Sequence, residues 1–76
     1  MSTSRERLET QIKGAFKGWK SKAVFELANG QTWQQTDYTY HYQYAYRPEV
    51  VIYRGGSGFE MRVEGMDDAV AVKRLK

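Results

Sequence analysis

The chain has 76 residues, of which 41% are hydrophobic and 14% aromatic, and its formal net charge is +3. It has no cysteine and a single histidine, which excludes a disulfide framework and the common cysteine or paired-histidine metal sites. No segment reaches the roughly 20 apolar residues of a membrane span, and the start lacks the apolar stretch of a signal peptide. We therefore expect one soluble domain without metal or cofactor, cytoplasmic, or periplasmic if a signal peptide has been removed.

The first ten residues are polar and predict a flexible or short helical N-terminus. Thr3 or Ser4 is suited to cap a helical turn, and Glu6 follows closely. Leu8 offers too little apolar surface for a longer helix to bury. The folded domain is accordingly expected over residues 11–76.

Strand-like runs separated by turn residues follow this segment. Residues 22–27 alternate between two faces, and residues 31–36 form a second run centred on Trp33. Asn29-Gly30 lies between them and favours a type I′ hairpin turn, because both residues tolerate positive φ.

Between residues 38 and 46, every second residue is a tyrosine. A spacing of two is the period of a β-strand, so an extended segment would place all five rings on one face. Pro48 interrupts the pattern and favours extended geometry at Arg47. The five aromatic residues of this tyrosine stripe are Tyr38, Tyr40, Tyr42, Tyr44 and Tyr46.

Three further runs complete the chain, at residues 49–54, 59–63 and 69–75, with glycine-containing turns between them. Short strands at this spacing predict an all-β meander, which removes its open edges by closing into a barrel. We therefore predict a small antiparallel barrel, SH3-like or OB-like, of five to six strands.

Two elements of the sequence carry a resemblance to a known group. These are Phe16-Lys17-Gly18-Trp19 and the run from Phe25 to Gln35, which read F-x-G-W and F-x-L-x-N-G-Q-x-W-x-Q. The chain resembles, over most of residues 11–75, a group of small bacterial proteins and domains without an assigned activity. The resemblance implies a small β-barrel. Some members of the group are exported, and this chain differs from them in having no signal peptide.

The aromatic residues are the candidate functional residues. Trp19 and Trp33 either pack into the barrel or join the tyrosines in a pocket that docks a peptide. The tyrosine stripe has three interpretations: cross-strand packing, a protein interface, or a platform that stacks bases or sugars. Because a thin core does not need so many rings, we expect a binding module that recognises a protein or peptide through Trp19, Trp33 and the stripe.

Two alternatives use the same residues. The first is single-stranded nucleic-acid binding, in which a basic strip supplies the cations (Lys13, Lys17, Lys20 and Lys22). The second is a structural homodimer with the tyrosine stripe at its interface. An enzyme is not expected, because no nucleophile–base set, phosphate loop or zinc spacing is present.

Overall fold

The computed structural model describes residues 7–56 and 58–76, which form eight β-strands and no helix. The predicted all-β fold is confirmed, but the count of five to six strands is too low. The three C-terminal runs appear as predicted, within one residue at their ends. The strands are β1 (Arg7–Gln11), β2 (Ala15–Trp19), β3 (Val24–Glu26), β4 (Thr32–Gln35), β5 (His41–Tyr46), β6 (Glu49–Arg54), β7 (Phe59–Val63) and β8 (Ala69–Arg74).

Six strands form one antiparallel sheet in the order β1-β6-β7-β8-β4-β3, and β2 and β5 form a separate two-stranded ribbon. The large sheet curls into a half-barrel. Two side-chain hydrogen bonds tie the ribbon to the loop between β7 and β8. Trp19 donates to a carboxylate oxygen of Asp68 at 3.0 Å, and the amide of Gln43 donates to the carbonyl oxygen of Gly65 at 3.0 Å. The molecule is therefore a small all-β barrel-like protein.

The N-terminal part of the described chain is a strand rather than a helix. β1 pairs antiparallel with β6, with Leu8 opposite Ile52. Leu8 is half-buried and packs against the core. The flexible or helical N-terminus expected over residues 1–10 is thus wrong for residues 7–10, because β6 supplies a ladder partner that local sequence does not reveal. Residues 1–6 lie outside the described part.

A shared corner separates the β1–β6 pair from the β2–β5 ribbon. The backbone N–H of Ile12 donates to the carbonyl of Pro48 at 3.0 Å, and that of Arg47 donates to Gly14 at 2.8 Å. Gly14 has φ +92° and Arg47 has φ +51°. The extended geometry expected for Arg47 is therefore wrong: the corner holds it in the left-handed region, which is rare for a residue with a side chain. Here the chain leaves the large sheet and enters the ribbon.

The predicted hairpin at Asn29-Gly30 exists, but its turn has a different type. The N–H of Gly30 donates to Leu27 at 3.0 Å, and the N–H of Leu27 donates to Gln31 at 2.9 Å. Gly30 has φ +93°, whereas Asn29 does not have a positive φ. Residues 28–30 thus form a three-residue loop ending in a left-handed glycine, which also matches the strand twist.

The core lies between the half-barrel and the ribbon. Phe16, Trp19 and Phe25 form an aromatic cluster in which Trp19 meets both phenylalanine rings edge-on, at centroid distances of 5.3 and 5.8 Å. Side chains from the large sheet, including Met61, and Met66 from the loop between β7 and β8 fill the remaining space, and no tyrosine is among the buried residues. The buried hydrophobic residues are Ile12, Phe16, Trp19, Phe25, Leu27, Trp33, Val50, Ile52, Met61, Val63, Met66, Val70 and Val72.

Candidate binding surface

Three tyrosines point outward from β5. Tyr42, Tyr44 and Tyr46 are 57–68% exposed, whereas Gln43 and Ala45 between them are half-buried. The alternation follows from the two-residue period of the strand, with Ala45 on the inner side, opposite Phe16. The extended conformation predicted for this part of the stripe is therefore confirmed, and its rings lie outside the core.

Tyr38 and Tyr40 do not lie on the same strand. β5 begins at His41, and the two residues belong to the loop that precedes it. They are also the most exposed tyrosines, at 85% and 74%. The paired strand therefore covers only the second half of the segment that was expected to be extended. All five rings nevertheless reach solvent, and we call this set of five the tyrosine surface.

A partly buried hydrogen-bond network holds the loop that carries Tyr38 and Tyr40. The side chain of Gln35 is buried; its carbonyl oxygen accepts from the N–H of Lys20 at 2.9 Å, and its amide donates to the Asp37 carboxylate and the Thr39 carbonyl, each at 2.9 Å. The Asp37 carboxylate also accepts from the N–H groups of Thr39 at 3.1 Å and Ala71 at 3.0 Å. The network therefore links the loop to β4, to β8 and to the end of β2.

The pKa of Asp37 reflects this network. Burial by itself would raise the pKa, but the hydrogen bonds from Ala71, Thr39 and Gln35 to the ionised carboxylate outweigh it and hold the pKa below its ordinary value. Asp37 is therefore ionised at neutral pH and fixes the loop conformation in its charged form. Sequence reasoning missed this residue, because the contact that joins it to β8, the hydrogen bond from Ala71, comes from a distant part of the chain.

Gly18 lets β5 lie close to β2. It is opposite Tyr42, and the register of the ribbon shifts by one residue between Phe16 and Gly18. Gly18 has φ +101°, and a Cβ atom there would lie 2.8 Å from the backbone N of Gln43 and closer still to the carbonyl oxygen of His41. A side chain would force the two backbones apart. The glycine of the F-x-G-W element thus positions the strand that carries the tyrosines.

Trp19 and Trp33 belong to the core and not to the surface. They are 1% and 5% exposed. The indole N–H of Trp33 donates to the Gln31 side chain at 2.9 Å, and its ring packs edge-on against Phe59. The indole N–H of Trp19 donates to the carboxylate of Asp68. The packing interpretation of these two residues is therefore confirmed, since they support the ribbon and the sheet from inside, and their contact with a partner stays a prediction.

The four lysines expected to form one basic strip are separated by the fold. Lys17 and Lys20 line the same groove as Tyr40 and Tyr42. Lys13 lies at another groove, together with Glu26 and Lys76, and Lys22 lies in the turn between β2 and β3 with φ +64°. Only half of the strip therefore lies beside the tyrosine surface.

The groove beside the tyrosine surface lies between β2 and β3 and has a volume of about 350 Å³. It also exposes Val24, at 51%. The alternation predicted for residues 22–27 gives no signal that the face of Val24 lies beside β2. The lining residues are Ala15, Phe16, Lys17, Gly18, Trp19, Lys20, Ala23, Val24, Phe25, Tyr40 and Tyr42.

The residues at the groove bring apolar, phenolic and ammonium groups together. Across residues 7–56 and 58–76, no group of three or more His, Asp or Glu side chains is placed to hold a metal ion. The same residues contain no helix with the length and hydrophobicity of a membrane span.

Comparison of the chain with protein-family models, with curated proteins and with solved structures finds no match. The resemblance carried by the F-x-G-W and N-G-Q-x-W elements therefore stays a prediction. The class of protein is defined by the fold: a small all-β barrel-like protein with an exposed aromatic ribbon.

Proposed function

We propose that the protein is a non-catalytic binding module that recognises a protein or peptide through its tyrosine surface. One observation carries the proposal: all five rings are exposed, while the core is filled without them. Of the seven large hydrophobic side chains that are exposed among the described residues, five belong to this surface. Clustered exposed aromatic side chains are typical of interaction sites, and single scattered ones are not.

Tyrosine suits such a surface for a physical reason. Its ring provides a large contact area with only two side-chain torsions, and its hydroxyl can still bind water when no partner is present. Tyrosine is accordingly enriched in protein interfaces and at their energetic centres. The close approach at Gly18 positions the backbone of the ribbon that carries these rings, and the Asp37 network holds the loop before it.

The test combines partner selection with a fold measurement. Peptides displayed on phage are selected against the wild type and against a triple variant, Tyr40→Ala, Tyr42→Ala and Tyr44→Ala. We expect the wild type to enrich specific peptides and the triple variant to lose them while keeping a cooperative thermal transition. Loss of the folded state in the triple variant would show instead that the rings are structural.

Single-stranded nucleic acid is a second candidate, favoured by one observation. Residues 12–25 and 38–48 contain five lysines and arginines and no aspartate or glutamate. Bases stack on aromatic rings, with about 1–3 kcal/mol per base, when cations lie nearby. This function predicts that binding to an oligothymidylate falls steeply as salt is raised from about 50 mM. Absence of binding at low salt would exclude it.

A homodimer is the remaining use of the surface. Within the described residues β5 pairs with β2 alone, so its other edge has no strand beside it. An unpaired edge can pair with a second copy. Sedimentation velocity over a range of concentrations distinguishes a dimer from a monomer, and the triple variant reports whether the tyrosines form the interface.

A further inference from the structure

We infer that the groove between β2 and β3 binds a short acidic peptide segment that inserts one apolar side chain. The inference rests on the proposed binding function and adds the chemistry of the partner. The observation behind it is that two lysines, two tyrosines and an exposed valine border one concave site.

The shape of the site fits a side chain rather than a flat surface. Its floor includes the buried rings of Phe16, Trp19 and Phe25, and Val24 is exposed at its edge. Tyr40, from the loop, and Tyr42, from β5, line the same groove. A volume of about 350 Å³ is at the small end of ligand sites in proteins. An apolar side chain inserted here would cover Val24 and the two tyrosine rings.

The charges at the groove select an acidic partner. Lys17 and Lys20 line it, and its lining includes no aspartate or glutamate. The nearby carboxylates lie outside the groove lining, and that of Asp68 accepts the indole N–H of Trp19 at 3.0 Å. Asp37 accepts hydrogen bonds from Ala71 and Thr39, and Glu26 lines the separate groove with Lys13. Carboxylates on either side of the inserted residue would therefore find two ammonium groups without competition from within the groove.

The same features favour a peptide over a nucleic acid. A single strand carries one phosphate per base, whereas only Lys17 and Lys20, of the four lysines in this region, lie in the groove with the rings. Among the described strands, no ladder joins β2 to β3. On the β3 side the carbonyl of Glu26 already accepts from the N–H of Lys13 at 2.8 Å, so the backbone groups left for an extended peptide lie towards Val24. A nucleic acid cannot form a ladder with them.

The experiment uses two defined peptide pools. Both pools have random Leu, Val, Ile or Phe at the central position; one has random Asp or Glu at the flanking positions and the other has Lys or Arg. Retention on the immobilised full chain is measured for the wild type and for the double variant Lys17→Glu and Lys20→Glu. We expect the wild type to retain the acidic pool about tenfold better, and the double variant to reverse this preference, because repulsion replaces attraction.

A matched variant controls for net charge. Lys13→Glu and Lys73→Glu carry the same change in net charge, but Lys13 and Lys73 line other grooves. This control should keep the preference for the acidic pool. If both double variants lose the preference equally, the selectivity comes from overall charge and the inference is wrong.

The remaining outcomes separate the inference from the proposed function. Peptides that depend on Tyr42 but show no preference for acidic flanks would overturn the inference and leave the binding module standing. Displacement of the acidic pool by an oligothymidylate at lower concentration than by poly-glutamate would replace the peptide with a nucleic acid. Retention of neither pool, together with no peptide selected by phage display, would overturn both.

Discussion

β5 and β6 follow each other in the chain and have six residues each. The large side chains of β6 are partly in the core, whereas those of β5 are exposed. β6 lies between β1 and β7 and buries Val50 and Ile52. β5 pairs with β2, and its three tyrosines face solvent. Both strands alternate with a period of two, so alternation does not distinguish them. The number of neighbouring strands, and what covers each face, decides which side chains become core.

The two strands also differ in how they use tyrosine. Tyr53 on β6 is half-buried, and its hydroxyl donates to Glu60 on the facing strand at 3.2 Å. This is a cross-strand pair of the kind that stabilises sheets. The rings of Tyr42, Tyr44 and Tyr46 project away from the inner face that packs on the core. The comparison therefore separates a structural tyrosine from tyrosines that are available for binding.

The largest effect is expected from the inner face of the ribbon. Trp19→Ala removes a buried ring from the aromatic cluster and leaves Asp68 without its indole donor. We expect a loss of about 3–5 kcal/mol in the free energy of unfolding, measured by urea denaturation. Tyr44→Ala on the outer face is the matched variant and should change it by no more than about 0.5 kcal/mol. Equal losses in the two variants would contradict the division between inner and outer faces.

The next largest loss of stability is expected at Gly18, where the backbone of β5 lies close to β2. Gly18→Ala adds a Cβ that meets the β5 backbone at a positive φ. Gly14 has a similar φ, but the Cβ that Gly14→Ala adds would meet no atom within 4 Å. We expect Gly14→Ala to lower the free energy of unfolding by roughly 1–2 kcal/mol, because alanine disfavours a positive φ. Gly18→Ala should lower it clearly more, because the steric clash with β5 adds to the same backbone strain. Thermal denaturation of the two variants measures the difference; the same loss in both would show that contact with β5 contributes nothing.

A smaller and pH-dependent effect is expected from the loop before β5. Because folding lowers the pKa of Asp37, its carboxylate stabilises the fold at pH values above its unfolded pKa of about 3.9. That contribution is lost as the pH falls through the lower pKa of the folded state. Asp37→Asn places an amide donor against an N–H donor and should cost about 1–2 kcal/mol at neutral pH.

Urea denaturation between about pH 2 and pH 6 tests this assignment. The wild type should lose more stability below pH 4 than Asp37→Asn, because the variant has no group to titrate at this position. Parallel pH curves for the two proteins would show that Asp37 does not stabilise the loop. Thr39→Ala keeps the backbone N–H that donates to Asp37, so its stability should depend on pH more like that of the wild type than like that of Asp37→Asn.

The features of the sequence that were read correctly are local ones. The runs at 49–54, 59–63 and 69–75 are strands because their alternation and glycine turns are strong local signals. The hairpin at residues 28–30 formed where Asn29-Gly30 predicted it, although with a three-residue loop. What failed depends on distant partners: β1 is a strand because β6 pairs with it, and Arg47 has a positive φ because the corner with Gly14 holds it.

The amino-acid sequence alone determined that this chain forms short β-strands, that Tyr42, Tyr44 and Tyr46 share a side, and that cysteine chemistry is absent. Only the tertiary structure decided that this side faces water, that both tryptophans face inward, and that Lys17 and Lys20 meet Tyr40 and Tyr42 at one groove. The physical reason is that strand periodicity is a property of the local backbone, whereas burial depends on which strands pack on each face. That packing is decided by residues far apart in the chain, as Asp37 and Ala71 are in the network behind the tyrosine surface and Trp19 and Asp68 are at the ribbon.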